Sequence, residues 1–274
     1  MRRQRKRKQA QIEEVDAEWD ADASTNFFDD TMSSIQLLLN RNADAFAAQG
    51  LPPILLWHQL YTILPNRTFI DQNVHRLRSI GKLITLKVST GSEDRAIIRV
   101  EDYLAKVKTY EDVFREQIRQ HPMNSSLSVK LKAMAAYRQA LPKLASLSTV
   151  PMDVFISIMN EGVDGANLLQ THSLIGQIQR LGFLLPTTRL DAIVFSFSVP
   201  GMGKLVSAVS KSRALIQRTL KRTKYKEMHE LQLKKLRLKS SPFNIEFHLV
   251  DMEGCGLIRR TKVTGNVLVA LADN

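Results

Sequence analysis

The chain has 274 residues, 44% of them hydrophobic, and 39 lysine and arginine residues against 27 aspartate and glutamate residues give it a net charge of +12. This length accommodates roughly two to three small domains, each with its own core. The single cysteine, Cys255, excludes an internal disulfide framework, the six histidines lack the spacing of a zinc site, and no apolar run approaches the roughly 20 residues that cross a bilayer.

The first 31 residues are predicted to form a disordered tail. They open with a basic cluster typical of nuclear import, formed by Arg2, Arg3, Arg5, Lys6, Arg7 and Lys8, although a merely solubilising tail is the alternative. A secretory signal is not expected, because acidic rather than apolar sequence follows this cluster. The acidic stretch from Glu13 to Asp30 contains Trp19, Phe27 and Phe28, and it is compatible with a partner-binding motif.

A first module is predicted over residues 32–107. Helices are expected after Ser33, over residues 54–64, and from an N-cap at Thr68, with Asp71 completing a capping box. The third helix would direct its apolar residues inward and present an outer face formed by Gln72, Asn73, Arg76 and Ser79. Strands are expected over residues 83–88 and 95–100, around an acidic tip that would repel phosphate, so this module is also compatible with protein binding.

A second module is predicted over residues 108–199. Its expected helices cover residues 101–120, 129–140, 152–159 and 173–181. The first of these helices begins before the module boundary at residue 108. The last one is expected to direct Arg180 outward. Two short strands, over residues 184–187 and 192–198, follow Gly182 and flank a polar tip.

The third predicted module, residues 200–274, contains most of the positive charge. Residues 200–240 hold 12 basic and two acidic side chains. On a helical wheel Leu205, Val209, Ile216 and Leu220 form one stripe, and the opposite side carries Lys204, Lys211, Arg218 and Arg222, with Lys221 and Lys224 beside them. A shorter helix over residues 226–237, a helix capped by Asn244 and a hairpin around Thr264-Gly265-Asn266 complete this module.

The same order of elements occurs in all three modules. Each has a helix that ends at a glycine (Gly81, Gly182 and Gly254), and two short strands follow. Glycine adopts the left-handed conformation that ends a helix, and a helix followed by a strand hairpin is typical of a winged helix-turn-helix domain. The sequence therefore predicts a mostly helical α+β protein with three tandem winged helices.

The basic helix after Pro200 is predicted to contact nucleic acid, because regularly spaced cations track phosphates without reading base sequence. An anionic membrane is disfavoured, since the apolar stripe lacks Trp and Phe. We expect double-stranded DNA as the ligand, with RNA as a further possibility. The expected DNA-binding residues are Lys204, Lys211, Arg218, Lys221, Arg222, Lys224 and Lys226, with Arg76 and Arg180 on the other two modules.

Catalysis is not expected. A phosphate-binding loop at Gly203-Lys204 fails at both ends, because Ser198 and Leu205 stand where glycine and a hydroxyl residue are required. The glycine-rich loop, His-Arg-Asp and Asp-Phe-Gly motifs of protein kinases do not occur in the chain. His58 and His248 are interpreted as helix-face or core histidines. The sequence therefore predicts no catalytic residue, metal or cofactor.

Several blocks of sequence resemble the serine/threonine-protein kinase 19 family. They are Leu51-Pro52-Pro53-Ile54, Tyr61 with Pro65-Asn66-Arg67-Thr68, Glu101-Asp102-Tyr103, Val199-Pro200-Gly201-Met202-Gly203-Lys204, Lys224-Tyr225-Lys226-Glu227 and Thr264-Gly265-Asn266-Val267-Leu268. The resemblance covers most of the chain beyond about residue 45, although residues 108–170 align poorly.

The resemblance implies three winged helices, a nuclear location and binding of DNA and some RNA, without a kinase domain. It further implies a role in transcription-coupled nucleotide excision repair, in which the protein joins stalled RNA polymerase II and helps place TFIIH. Lys221 and Lys224 match basic family positions, whereas Ser207 stands where another family member has lysine. The alternatives are a winged-helix adapter between proteins and, with much less support, a true protein kinase.

Overall fold

The computed structural model describes residues 30–88, 95–161, 168–187, 192–263 and 265–272. The described chain is a mostly helical α+β protein, as predicted. The basic cluster at residues 2–8, the acidic stretch up to residue 29 and the tips at residues 89–94 and 188–191 lie outside the described residues.

The first predicted module holds two main α-helices, a 3₁₀ helix and three strands. In chain order these are α1 (30–48), β1 (Leu55–Leu56), the 3₁₀ helix (Trp57–Thr62), α2 (Arg67–Ser79), β2 (Leu83–Lys87) and β3 (Arg95–Arg99). The helix expected over residues 54–64 is wrong in its first part. Pro52 and Pro53 favour extended backbone before Leu55, which pairs with Ile97 of β3 instead of entering a helix.

Helix α2 differs from expectation at its start and on its outer face. Asn66, not Thr68, is the N-cap and accepts a hydrogen bond from the backbone of Phe69. Asp71 forms no capping box with Thr68, because its carboxylate accepts hydrogen bonds from Trp57 Nε1 and Tyr61 Oη, each 2.7 Å long. The expected outward position of Asn73 is also wrong.

Asn73 is buried because α1 lies against this part of α2. Its amide donates a 3.0 Å hydrogen bond to Thr31 Oγ1 of α1. Gln72, Arg76 and Ser79 are exposed, as predicted.

The second predicted module holds α3 (Val100–Gln120), α4 (Ser125–Leu144), β4 (Val150–Pro151), α5 (Met152–Glu161), α6 (Leu168–Arg180), β5 (Leu184–Thr187) and β6 (Val194–Phe197). The expected helix end before Pro142 is wrong. Pro142 lies within the last turn of α4, where its missing N–H and its ring affect only the backbone near Arg138.

The third predicted module holds α7 (Met202–Lys221), β7 (Glu227–His229), α8 (Glu230–Leu233), α9 (Ile245–Gly254), β8 (Ile258–Val263) and β9 (Asn266–Leu271). The helix expected over residues 226–237 is mostly wrong. Its first part is strand β7, because pairing of Met228 with Val269 extends the sheet beside the confirmed hairpin. Asn244 caps α9, as predicted, by accepting a hydrogen bond from the Phe247 backbone.

The strands form two sheets. The first sheet has the order β1-β3-β2-β6-β4, and β5 also pairs with β6. The second sheet has the order β7-β9-β8. The hairpins of the first two predicted modules are joined where β2 runs parallel to β6, with Leu86 opposite Phe197. These two modules therefore share one sheet.

The hydrophobic core also crosses the predicted module boundaries. The largest cluster of buried residues extends from Phe46 in α1 to Phe247 in α9, and it includes Leu205 of α7. The rings of Phe46 and Phe243 lie 4.7 Å apart between centroids, so the third module packs directly on the first.

Candidate nucleic-acid interface

Helix α7 forms because one side of it is mostly apolar. Gly201, with a φ of 90°, is the N-cap and turns the chain from β6 into the helix. The four residues of the predicted apolar stripe, Leu205, Val209, Ile216 and Leu220, are buried. Burial of this stripe fixes which way the rest of the helix faces.

The side of α7 opposite the core carries a set of exposed cations. Lys204, Lys211 and Arg218 follow one another at seven-residue spacing, about 10 Å of helix rise with a drift of about 20° at each step. Together with the cations at the end of the helix they define the basic face, whose members are Lys204, Lys211, Arg218, Lys221, Arg222, Lys224 and Lys226.

The charges of the basic face are not neutralised by the described part of the chain. All seven side chains are exposed, and none forms an ion pair with a described carboxylate. Neighbouring cations differ: Lys234 pairs with Glu230, and Arg260 pairs with Glu253 and Glu246. The paired carboxylates of this module therefore bind other cations. The basic face keeps its positive charge and can attract an external polyanion.

Arg76 and Arg180 lie apart from the basic face in the fold. Arg76 is on α2, whose inner residues belong to the cluster around Ile70 and Val74. Arg180 is the last residue of α6, and its exposed side chain follows the buried Ile178. Both are exposed, as predicted, but they lie on helices of the first two modules and not on the basic helix.

Two exposed cations in the third hairpin were missed by the sequence reasoning. Arg259 and Lys262 lie on β8 and are exposed, whereas Arg260 between them is held by Glu246 and Glu253. The run Arg-Arg-Thr-Lys in a predicted strand was the available signal, because it places three cations within four residues in the module that contains the basic helix.

Arg213 is the one basic residue of α7 that faces the protein interior. Its guanidinium donates from Nε to Asp251 Oδ2 and from Nη2 to Asp251 Oδ1, both at 2.7 Å. His58 Nε2 lies 2.7 Å from the same Asp251 Oδ1. His58 is a largely buried residue of the 3₁₀ helix, as the interpretation of a helix-face or core histidine predicts, and its contact with Asp251 connects the first module to α9.

The Asp251 carboxylate stays ionised although it is buried. Burial acts to raise its pKa, but the hydrogen bonds from Arg213 and His58 and their charges outweigh burial, so the pKa lies below the usual value. The cluster Arg213, Asp251 and His58 fixes α7 against the other elements and leaves the basic face pointing outward.

The described residues hold no group of three or more His, Cys, Asp and Glu side chains arranged to bind a metal ion. Within the same described ranges, no helix is long and apolar enough to cross a membrane.

A known protein family matches most of this basic chain. The model of the family described as inactive serine-threonine protein kinase 19 matches residues 26–266. The chain belongs to this family. The resemblance found in its sequence is thereby confirmed.

Relatives from several organisms carry the name Winged helix repair factor 1. The protein from Dictyostelium discoideum is 24% identical over 94% of this chain and 68% of its own length. Those from Xenopus laevis and Homo sapiens are each 24% identical, over 81% and 82% of this chain and 76% and 78% of their own lengths. The family's description as inactive and these names agree with the expectation of a protein that is not an enzyme.

Proposed function

We propose that this protein is a non-enzymatic, nuclear DNA-binding factor of DNA repair that holds duplex DNA along the basic face. The observation that carries the proposal is the set of seven exposed cations that no described carboxylate neutralises. Each phosphate that such a cation neutralises releases counterions, which makes binding favourable and dependent on salt. Phosphate contacts of this kind position a duplex without reading its sequence, so we expect weak sequence preference.

The names of the relatives support the repair role, since the three relatives described above are each called Winged helix repair factor 1. The family resemblance specifies the pathway further, as transcription-coupled nucleotide excision repair at stalled RNA polymerase II, with TFIIH placed on the DNA. RNA is a second nucleic-acid ligand in this proposal. The basic cluster at residues 2–8 would direct the protein to the nucleus.

The proposal retains three winged helices, over residues 32–107, 108–199 and 200–274, with the first two as protein-docking surfaces. Their shared sheet and the core that crosses the boundaries make them a continuous support for the third. In this proposal Arg76 and Arg180 make only auxiliary contacts with DNA, because they lie on helices of the first two modules.

Fluorescence anisotropy of the purified chain on a random-sequence duplex tests the proposal. The triple variant Lys211→Glu, Arg218→Glu and Lys221→Glu reverses the centre of the basic face without touching the apolar stripe. We expect it to abolish binding, and we expect the wild-type affinity to fall steeply with salt, since log K declines by about 0.9 for each phosphate contact per decade of salt.

A matched control reverses three lysines on α3 and α4, namely Lys108, Lys130 and Lys132. This variant has the same net charge as the test variant, so retained binding in it would assign the effect to position and not to total charge. Equal losses in both variants would contradict the proposed interface. Weak, salt-insensitive binding by the wild type would favour a protein-protein adapter.

A further inference from the structure

Tyr225 is unusual among the aromatic residues that the structure describes. Its side chain is 70% exposed, and the other described Phe, Tyr and Trp side chains are buried or half-buried. Tyr103 and Tyr137, by comparison, are fully buried. An exposed aromatic ring forgoes the burial that normally stabilises such side chains, so its position is more informative than that of an exposed aliphatic residue.

The backbone presents Tyr225 on a tight turn directly after the basic helix. The Lys226 N–H donates a 3.2 Å hydrogen bond to the Thr223 carbonyl, and the Lys226 carbonyl accepts from the Leu271 N–H at 3.1 Å. Thr223 itself is held to Leu220 through both its N–H and its hydroxyl. The turn is therefore fixed on one side by α7 and on the other by β9.

This turn also contains backbone strain. Lys226 has a φ of +54°, and it is the one non-glycine residue with a positive φ among those that the structure describes. A lysine gains nothing locally from this conformation, and such outliers concentrate at functional positions. The strained residue directly follows Tyr225 and connects the turn to β7.

Several cations of the basic face lie close to Tyr225 in the chain, and one of them contacts its ring. Lys221, Arg222 and Lys226 are exposed within four residues of it, and Lys224 Nζ lies 5.2 Å from the ring centroid. Because the side chain is still 70% exposed, Lys224 covers only a small part of the ring. An aromatic ring beside phosphate-binding cations is the combination with which proteins bind single-stranded nucleic acid, where the ring stacks on a base.

We propose that Tyr225 is a stacking platform for an unpaired DNA base, at a junction where a duplex on the basic face opens into single strand. A base inside a regular duplex is stacked on both sides by its neighbours, so only an unpaired base can present its face to the ring. The inference rests on the proposed function and deepens it, since it names a duplex with a single-stranded extension as the preferred ligand class.

The test compares binding to a blunt duplex with binding to the same duplex carrying a single-stranded overhang, by fluorescence anisotropy. We expect the wild type to prefer the overhang probe, and Tyr225→Ala to weaken it by roughly tenfold while changing the blunt duplex by less than about twofold. Tyr225→Phe, which keeps the ring, should bind both probes as the wild type does. Leu231→Ala is the matched control, because Leu231 is 64% exposed in the same module but not aromatic.

A fluorescent 2-aminopurine at the first unpaired position provides a direct readout of stacking. Its emission should be quenched by the wild type and by Tyr225→Phe, and not by Tyr225→Ala.

Equal weakening of both DNA probes by Tyr225→Ala, no weakening of either, or a wild type without preference for the overhang would each overturn the inference. If the duplex binds and depends on Lys211, Arg218 and Lys221 while Tyr225→Ala has no effect, the stacking inference fails and the proposed function stands. If the wild type binds neither probe, the proposed function itself fails.

Discussion

Arg213 on α7 holds Asp251 on α9 through two parallel hydrogen bonds of 2.7 Å, whereas Lys211, two residues earlier on the same helix, points into solvent. The Asp251 side chain is fully buried. One helix therefore carries an arginine used for folding and a lysine available for binding, and the two roles can be separated by mutation.

Arg213→Ala should reduce the free energy of unfolding by about 3 kcal/mol, because removal of one partner leaves a buried carboxylate without its main cation. Lys211→Ala should change stability by less than about 0.5 kcal/mol, because an exposed side chain is removed. DNA affinity should show the reverse pattern, weakened by Lys211→Ala and unchanged in Arg213→Ala at temperatures where it is folded. Urea denaturation and anisotropy measure the two quantities. Equal stability of the two variants would contradict the assignment.

Gly254→Ala should strongly destabilise the protein. A Cβ at this position would lie 2.1 Å from the carbonyl oxygen of His58, which is backbone and has no rotamer to move away. Overpacking of this kind costs about 3 kcal/mol or more. Gly176→Ala on α6 is the matched control, since nothing lies within 4 Å of its new Cβ, and alanine should stabilise the helix by up to about 1 kcal/mol. Similar melting temperatures for the two variants would show that the 3₁₀ helix and α9 are less close than described.

His248 should make stability depend on pH below neutrality. Burial lowers its pKa to about 4, with a smaller opposing effect from Asp251 and a further lowering by Arg213. Because the unfolded imidazole has a pKa of about 6.5, the unfolded state binds more protons between these values, and stability falls as pH falls. The loss should reach about 3 kcal/mol at the lower end of this window.

Urea denaturation between pH 7 and pH 4 measures this effect. The carboxylates of Asp251 and Glu246, whose pKa values are also lowered, add to the acid sensitivity, so the informative quantity is the difference from His248→Gln. That variant should have a shallower pH dependence, while His172→Gln, on an exposed part of α6, controls for removal of an imidazole as such. Parallel curves for wild type and His248→Gln would refute the prediction.

Tyr103→Phe should destabilise the protein by about 1–3 kcal/mol, the cost of leaving buried polar groups without partners. The buried Tyr103 hydroxyl lies 3.1 Å from the Phe183 carbonyl, 3.0 Å from the Ser198 carbonyl and 2.9 Å from the Tyr137 hydroxyl. Tyr110→Phe removes a half-buried hydroxyl with no hydrogen bond among the described residues, and it should be nearly neutral. A neutral Tyr103→Phe would show that water replaces the lost hydroxyl.

The sequence predicted the elements whose pattern is local. Helical spacing identified the buried stripe of α7 and the residues opposite to it, and the Gly265 turn identified the last hairpin. Strand β7 was mistaken for helix, because the residues after Lys226 suit a helix and only the distant strand β9 makes them extended. Propensity is overridden here by pairing between segments far apart in the chain.

One part of the candidate site could likewise be predicted from the sequence, and another part could not. The basic face could be predicted, since exposure follows from the helical wheel once the apolar stripe is known. The inward position of Arg213 could not, because its partners Asp251 and His58 are separated from each other by 193 residues and neither carries a recognisable motif. Tyr225 appeared within a family block, but its exposure and the strain of Lys226 depend on the coordinates.

The parallel pairing of Leu86 with Phe197 has a consequence for synthesis of the chain. While the ribosome is still synthesising α3 to α6, β2 is paired with β3 on one edge only. Its other edge is an unpaired apolar strand edge, to which other proteins can bind. The 3₁₀ helix lacks its partners for longer still, because Asp251 and Gly254 lie about 190 residues after it in the chain. Shortened forms that end before α9 should therefore be captured by chaperones instead of accumulating as stable fragments.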